Sequence, residues 1–184
     1  MQSEKVSAAD GLDVSINKRI GLDEIAEAHG RYGVQCVGAD GNVKCDDTIE
    51  NVVTTEGKNK ALDEILAGSA YTAAWYMALQ NGAAPTVSST YAVPICTEVT
   101  DYDEATRPAP AFSAASAGSK STSSAVSFSI NATATIDGVM LADNSTKGDT
   151  VGAGAVLYSA GDFTGGSKAV ASGDTLNVTY TASL

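Results

Sequence analysis

Residues 32–45, YGVQCVGADGNVKC, decide how the rest of the chain is read. Asp40-Gly41 is a strong short-range hairpin signal, and alternating apolar positions flank it on both sides. Taken as a two-residue type I′ loop, it pairs residues whose numbers sum to 81, so that Cys36 faces Cys45. Counted outward from 39:42, the pair 36:45 is a non-hydrogen-bonded one. Such pairs hold their Cα atoms about 4.5 Å apart, within disulfide range. Two readings stay open here. The cysteines are two small apolar residues paired on one face, as suits a chain folded in a reducing cytosol, or they form a disulfide after release from the cell.

Working outward, the same alternation recurs. Trp75, Met77 and Leu79 share one face of a strand expected over Tyr71–Leu79, with Thr72, Ala74, Tyr76 and Ala78 on the other. Between hairpin and strand, KNKALDEILAG reads as a short helix, with Thr55 as its N-cap, Leu62, Ile65 and Leu66 on one face, and Gly68 as its stop. Residues 81–112 hold all four prolines and read as loop. Residues 111–135 are low in complexity, with 19 of 25 positions Ala, Ser, Thr or Gly. Val126, Phe128 and Ile130 nevertheless alternate there, which makes the second half a half-buried strand. Further strands are expected at Ala134–Leu141, Ala153–Tyr158 and Thr175–Ala182, with turns at Gly161, Gly165-Gly166 and Gly173-Asp174. Short strands with glycine turns predict a mainly β protein, an antiparallel sandwich or jelly-roll-like barrel with one or two short helices. Residues 1–30 read as an acidic N-terminal arm carrying a two-turn helix over Leu22–Ala28, and 31–184 as a single β-rich body.

Composition narrows function. The 184 residues carry 11 Lys+Arg against 22 Asp+Glu, a net charge of −11. That balance argues against a binder of the phosphate backbone, because such affinity comes mainly from cationic side chains. The acidity is uneven: residues 1–110 hold 17 acids and 8 bases, so the remainder is nearly uncharged. No stretch approaches the roughly 18 apolar residues of a membrane span. The opening residues MQSEK lack an apolar signal core, which points to synthesis and folding in a cytosol.

Little in the chain promises chemistry. A Ser-His-Asp triad needs a histidine beside a nucleophile, and the single histidine, His29, sits in the acidic arm. Asp101, Asp103 and Glu104 could hold a hard cation or act as paired carboxylates, but lack the ligand spacing of a calcium loop. Asp46, Asp47 and Glu50 read the same way, as solvated acids. Three cysteines are too few for a disulfide scaffold and too dispersed for a zinc site. The glycines at 161–166 fit neither a phosphate loop nor a dinucleotide fingerprint. The sequons at Asn131, Asn144 and Asn177 read as chance in a chain so rich in Ser and Thr. Arg107 is expected to bridge the acids at 101–104 or to cap carbonyls in a long loop, with a receptor contact as the other reading. No catalytic, cofactor or metal residue is assigned.

Taken as an ordered set, four runs resemble small virion structural proteins of tailed bacteriophages. They are DGNVKCDDTIENVVTTEGKNKALDEILAGSAYTAAWYMAL, TEVTDYDEATRPA, FSINATATIDGVMLADNSTKGDTVGAGAVLYSAGDF and KAVASGDTLNVTYTASL, and they span residues 40–184. The resemblance implies a non-enzymatic virion component made in the host cytoplasm, with no catalytic residues to carry over. The leading expectation is capsid cement, bridging the major capsid protein and copies of itself in a homo-oligomer. The alternative is a receptor- or glycan-binding module of a tail or fibre. A glycan binder would expose aromatic platforms, whereas Trp75, Tyr71, Tyr76, Tyr91 and Tyr102 are expected to flank the core.

Overall fold

A computed structural model describes residues 27–66, 75–148 and 155–183. Residues 1–26 of the expected arm, and the segment containing Tyr71 and Gly68, lie outside the described residues.

Among the described residues, twelve strands and one helix follow in the order β1 (His29–Val37), β2 (Val43–Glu50), β3 (Val52–Val53), α1 (Thr55–Leu66), β4 (Tyr76–Gly82), β5 (Cys96–Val99), β6 (Ser119–Ser121), β7 (Val126–Ser129), β8 (Ala134–Ile136), β9 (Gly138–Ala142), β10 (Leu157–Asp162), β11 (Lys168–Val170) and β12 (Thr175–Ser183). One sheet runs β2-β1-β12, with β6 and β7 pairing successive stretches of the far edge of β12. The other runs β3-β10-β9-β4-β5, and β8 pairs β11 separately. Every strand pairing among the described residues is antiparallel. The protein is therefore mainly β, an antiparallel sandwich.

Strand alternation puts one apolar row from each sheet into the shared core. Tyr32, Val34, Leu176, Val178 and Phe128 come from the first sheet, and Met77, Leu79, Val139 and Leu141 from the second. The second sheet is buried on its other face as well. Ala78, Met140, Ala142, Ala160 and Cys96 form a second cluster there with Tyr91, which belongs to the loop after β4. That explains why β9 is buried along its whole length. Tyr91 seats the 83–95 loop against this face, and α1 approaches β10 through Gly57, beside Tyr158.

The 32–45 hairpin forms, but by a different route from the one its sequence suggests. Gly41 N–H donates to Gly38 O at 2.8 Å, and Gly38 N–H donates to Asn42 O at 2.8 Å. Gly41 has φ +80°, whereas Asp40 is not in the left-handed region. The loop is therefore three residues, Ala39 to Gly41, a type I turn closed by a left-handed glycine rather than a two-residue I′ turn. Asp40 favours this arrangement because its carboxylate accepts from Asn42 N–H at 3.0 Å and Asn42 Nδ2 at 2.8 Å. Such a loop pairs Val37 with Val43, and a bulge then leaves Lys44 as the extra residue, so that Cys36 meets Cys45. The two departures cancel.

Elsewhere the differences are local. His29 and Gly30, assigned from sequence to the arm, are the first residues of β1 and pair with Ser183 and Ala182. The strand expected over 134–141 breaks at Asp137, and β8 and β9 take different partners. The break is fixed by hydrogen bonds: Asp137 N–H donates to Gln80 O, its carbonyl accepts from Phe163, and its carboxylate accepts from Gly82 N–H at 2.6 Å. The strand expected over 153–158 instead runs Leu157–Asp162, through Gly161. Strands β5 and β6 lie where only loop or low-complexity chain was expected. Helix α1 is capped by Thr54, not Thr55: Thr54 Oγ1 accepts from Gly57 N–H at 2.9 Å and itself donates to Leu157 O. Leu62, expected to share one helical face with Ile65 and Leu66, is exposed.

Candidate functional site

The long segment between β4 and β6 is held by one buried polar group of side chains. Arg107 Nε donates to Glu98 Oε1 at 2.9 Å and Nη2 to Oε2 at 2.7 Å, a two-point pair. Nη1 donates to the Tyr91 hydroxyl at 2.8 Å and to Asn144 O at 2.9 Å. Glu98 Oε2 also accepts from Gly148 N–H at 2.7 Å. The Arg107 and Glu98 side chains are 1% and 2% exposed. Burial alone would push the Arg107 guanidinium down, but the hydrogen bonds and charge of Glu98 outweigh it and hold the group above its ordinary range. Burial, reinforced by the Glu98 charge, pushes the Tyr102 hydroxyl up.

Arg107 is thus structural, as one sequence reading had it, and it does cap a carbonyl. Its acidic partner is Glu98 rather than Asp101, Asp103 or Glu104. Two of those acids have other partners: Glu104 accepts from Ser129 N–H at 3.1 and 3.2 Å, and Asp103 from Asn131 Nδ2 at 3.1 Å. Sequence reasoning passed over Glu98. The signal was its isolation, for it is the only charged residue between Glu64 and Asp101.

Two further ion pairs hold the hairpin down. Lys44 Nζ, on the bulge, lies 2.5 Å from the carboxylate of Asp174, which is 5% exposed. Lys168 Nζ lies 2.5 Å from Asp47 Oδ2 and ties β11 to the edge strand β2. Hydrogen bonding to lysine holds both carboxyls below the usual aspartate range. Glu50 pairs with Arg31 at 3.3 Å on the surface. A disulfide joins Cys36 and Cys45, with Cα atoms 4.9 Å apart. Cys36 belongs to the core and the partly buried Cys45 packs against it.

Nothing gathers around the remaining candidates. His29 is 68% exposed and lies 3.2 Å from Glu27 on the surface. Among the described residues, no group of three or more His, Cys, Asp and Glu is placed to hold a metal. An open groove of about 440 Å³ lies between α1 and the 87–90 segment, lined by Glu56, Asn59, Lys60, Asp63, Val87 and Thr90. Two of its three charged groups have partners: Glu56 accepts from Leu157 N–H at 2.7 Å and Lys60 pairs with Glu64 at 3.2 Å. Tyr91 and Tyr102 are buried, Trp75 and Tyr76 half-buried, and none of the described aromatic residues is exposed. The sequon asparagines are engaged internally: Asn177 with Ser127, Asn131 with Asp103 and Asn144 with Thr146.

The described residues form an antiparallel sandwich whose buried charges pin loops. Residues 52–183 match the family model described as the podophage GP4 fiber I protein gp80; the chain belongs to that family and is a virion structural protein of a tailed phage. No curated protein matches the chain.

Proposed function

We propose that this protein is a structural subunit of a phage fibre. The observation that carries the reading is the match of residues 52–183 to a fibre-protein family. This favours the fibre alternative over capsid cement, for which neither the match nor the geometry offers separate support. Within the fibre reading, a scaffolding role fits better than glycan capture by stacking, because none of the described aromatic residues is exposed. No reaction is assigned to the chain, in keeping with a family of structural proteins.

Its partners would then be copies of itself and neighbouring fibre or tail components. The acidic N-terminal stretch is the segment we assign to contact with a neighbouring subunit. The test is location. Gold-labelled antibody against this chain should decorate fibres of intact particles, at a handful of copies per particle. Label spread over the shell, with a copy number in fixed ratio to the major capsid protein, would restore the cement reading.

A further inference from the structure

We propose that Cys36 and Cys45 form an oxidation site that closes only after the particle leaves the host, locking the edge strand β2 onto β1. The inference rests on the chain being a phage virion protein, and not on its place within the particle.

The hairpin is an unusual part of the molecule. It lies before the residues matched to the family, which begin at 52, yet β1 is an interior strand that pairs with β12 over nine residues. Its outer member, β2, is the edge of the first sheet. An edge strand is the element most easily peeled or paired with a foreign chain. If β2 left, Tyr32, Ile49 and the neighbouring core would be opened, and these are fully buried. Besides the β1–β2 ladder and the bonds of Thr48 to Thr164, the noncovalent ties that resist this include the Lys168–Asp47 and Lys44–Asp174 pairs, which acid weakens by protonating the aspartates. The disulfide sits between them in sequence and faces the core, so it holds β2 under conditions that weaken those pairs.

The timing follows from compartment. Virion proteins are made inside the host, where thiols are kept reduced, and a dithiol in this register is compatible with the fold because two cysteines pack as small apolar residues. The register places the sulfurs ready for closure, with Cα atoms 4.9 Å apart. The oxidant we assign is a low-molecular-weight disulfide outside the cell. Cys45, the more exposed of the two, attacks one sulfur of that disulfide as the thiolate and expels the other as a thiolate. Cys36, after losing its proton to water, then attacks the Cys45 sulfur of the mixed disulfide and expels the second thiolate. The protein loses two electrons and two protons, and one small disulfide becomes two thiols. Cys96 takes no part: it is a buried free cysteine on the far face of the other sheet, and burial pushes its thiol up to about 11.

The experiment counts thiols. Infected cells are quenched in acid before lysis, and purified particles are treated in parallel. Both are denatured, alkylated with N-ethylmaleimide, and read by intact mass of this chain. The account expects three labels on the intracellular chain and one, on Cys96, in particles. Three labels in particles would show that the bond does not close, and one label in the intracellular chain would show that it closes before release. Either result overturns the proposal. Neither depends on whether the chain sits on a fibre or on the shell, so this test fails independently of the fibre assignment. As a second measure, particles carrying Cys36→Ser with Cys45→Ala should lose the difference between oxidised and reduced samples. In the wild-type protein that difference should be a melting temperature about 5 °C or more lower after reduction.

Discussion

Arg107 and Glu98 form a two-point ion pair with both side chains almost wholly withdrawn from water. Nine positions apart in sequence, they bind the Pro-rich segment to the edge strand β5 and hold Tyr91 and the 144–148 loop with it. A buried pair of this kind gains little over a well-packed apolar pair, because each charge has been desolvated. Breaking it on one side is a different matter.

Arg107→Ala strands the Glu98 carboxylate in the interior, and such losses typically cost about 3–5 kcal/mol. The expected result is a melting temperature lower by about 10 °C. The double variant Arg107→Met with Glu98→Leu should be less damaged than Arg107→Ala. Thermal melts of the two variants against wild type check this, and equal losses in both would mean that the contacts to Tyr91 and Asn144 matter more than the pair.

Acid should loosen the hairpin. The Asp47 and Asp174 carboxyls are held below their ordinary range by Lys168 and Lys44. A carboxyl with a depressed folded-state pKa contributes stability that is fully present above the unfolded value, about 3.9, and is lost as pH falls through the folded value. The variant Asp47→Asn should therefore be less stable than wild type at neutral pH and lose less on acidification below about pH 4. Melts across pH 2 to 6 show whether the two curves converge.

Gly57 lies in α1 where a helical glycine would ordinarily be a weakness, by about 1 kcal/mol relative to alanine. A Cβ added there would collide with the carbonyl oxygen of Tyr158 on β10. Gly57→Ala should therefore destabilise the protein, by roughly 1–3 kcal/mol, through forcing the helix off the sheet. Chemical denaturation of this variant decides between helix propensity and close packing.

How much of this was legible in the sequence depended on how local the cause was. The alternation in β4, β7 and β12 was readable because each strand puts one apolar row into the core. The hairpin was readable too, although its loop length was not. A three-residue loop and a bulge at Lys44 gave the same Cys36–Cys45 pairing as the shorter turn, because one extra residue on each count cancels. What escaped was nonlocal. Nothing near Asp137 says that its carboxylate will bind Gly82 and split a strand, and nothing near Glu98 says that Arg107 will return to it. Strand β5 was hidden because its four residues follow Pro94 in a stretch that otherwise reads as loop. Spacing puts Leu62 on one helical face with Ile65 and Leu66, yet Leu62 is exposed, and the helix approaches the sheet through Gly57, beside Tyr158.

The central claim, that this chain builds a fibre, is tested most directly by locating it in intact particles. Antibody raised against residues 83–95, a loop that bears no charge and exposes Val87, Val93 and Ile95, should place gold along the fibres and leave the shell bare. Gold distributed over the shell surface, with fibres unlabelled, would contradict the account.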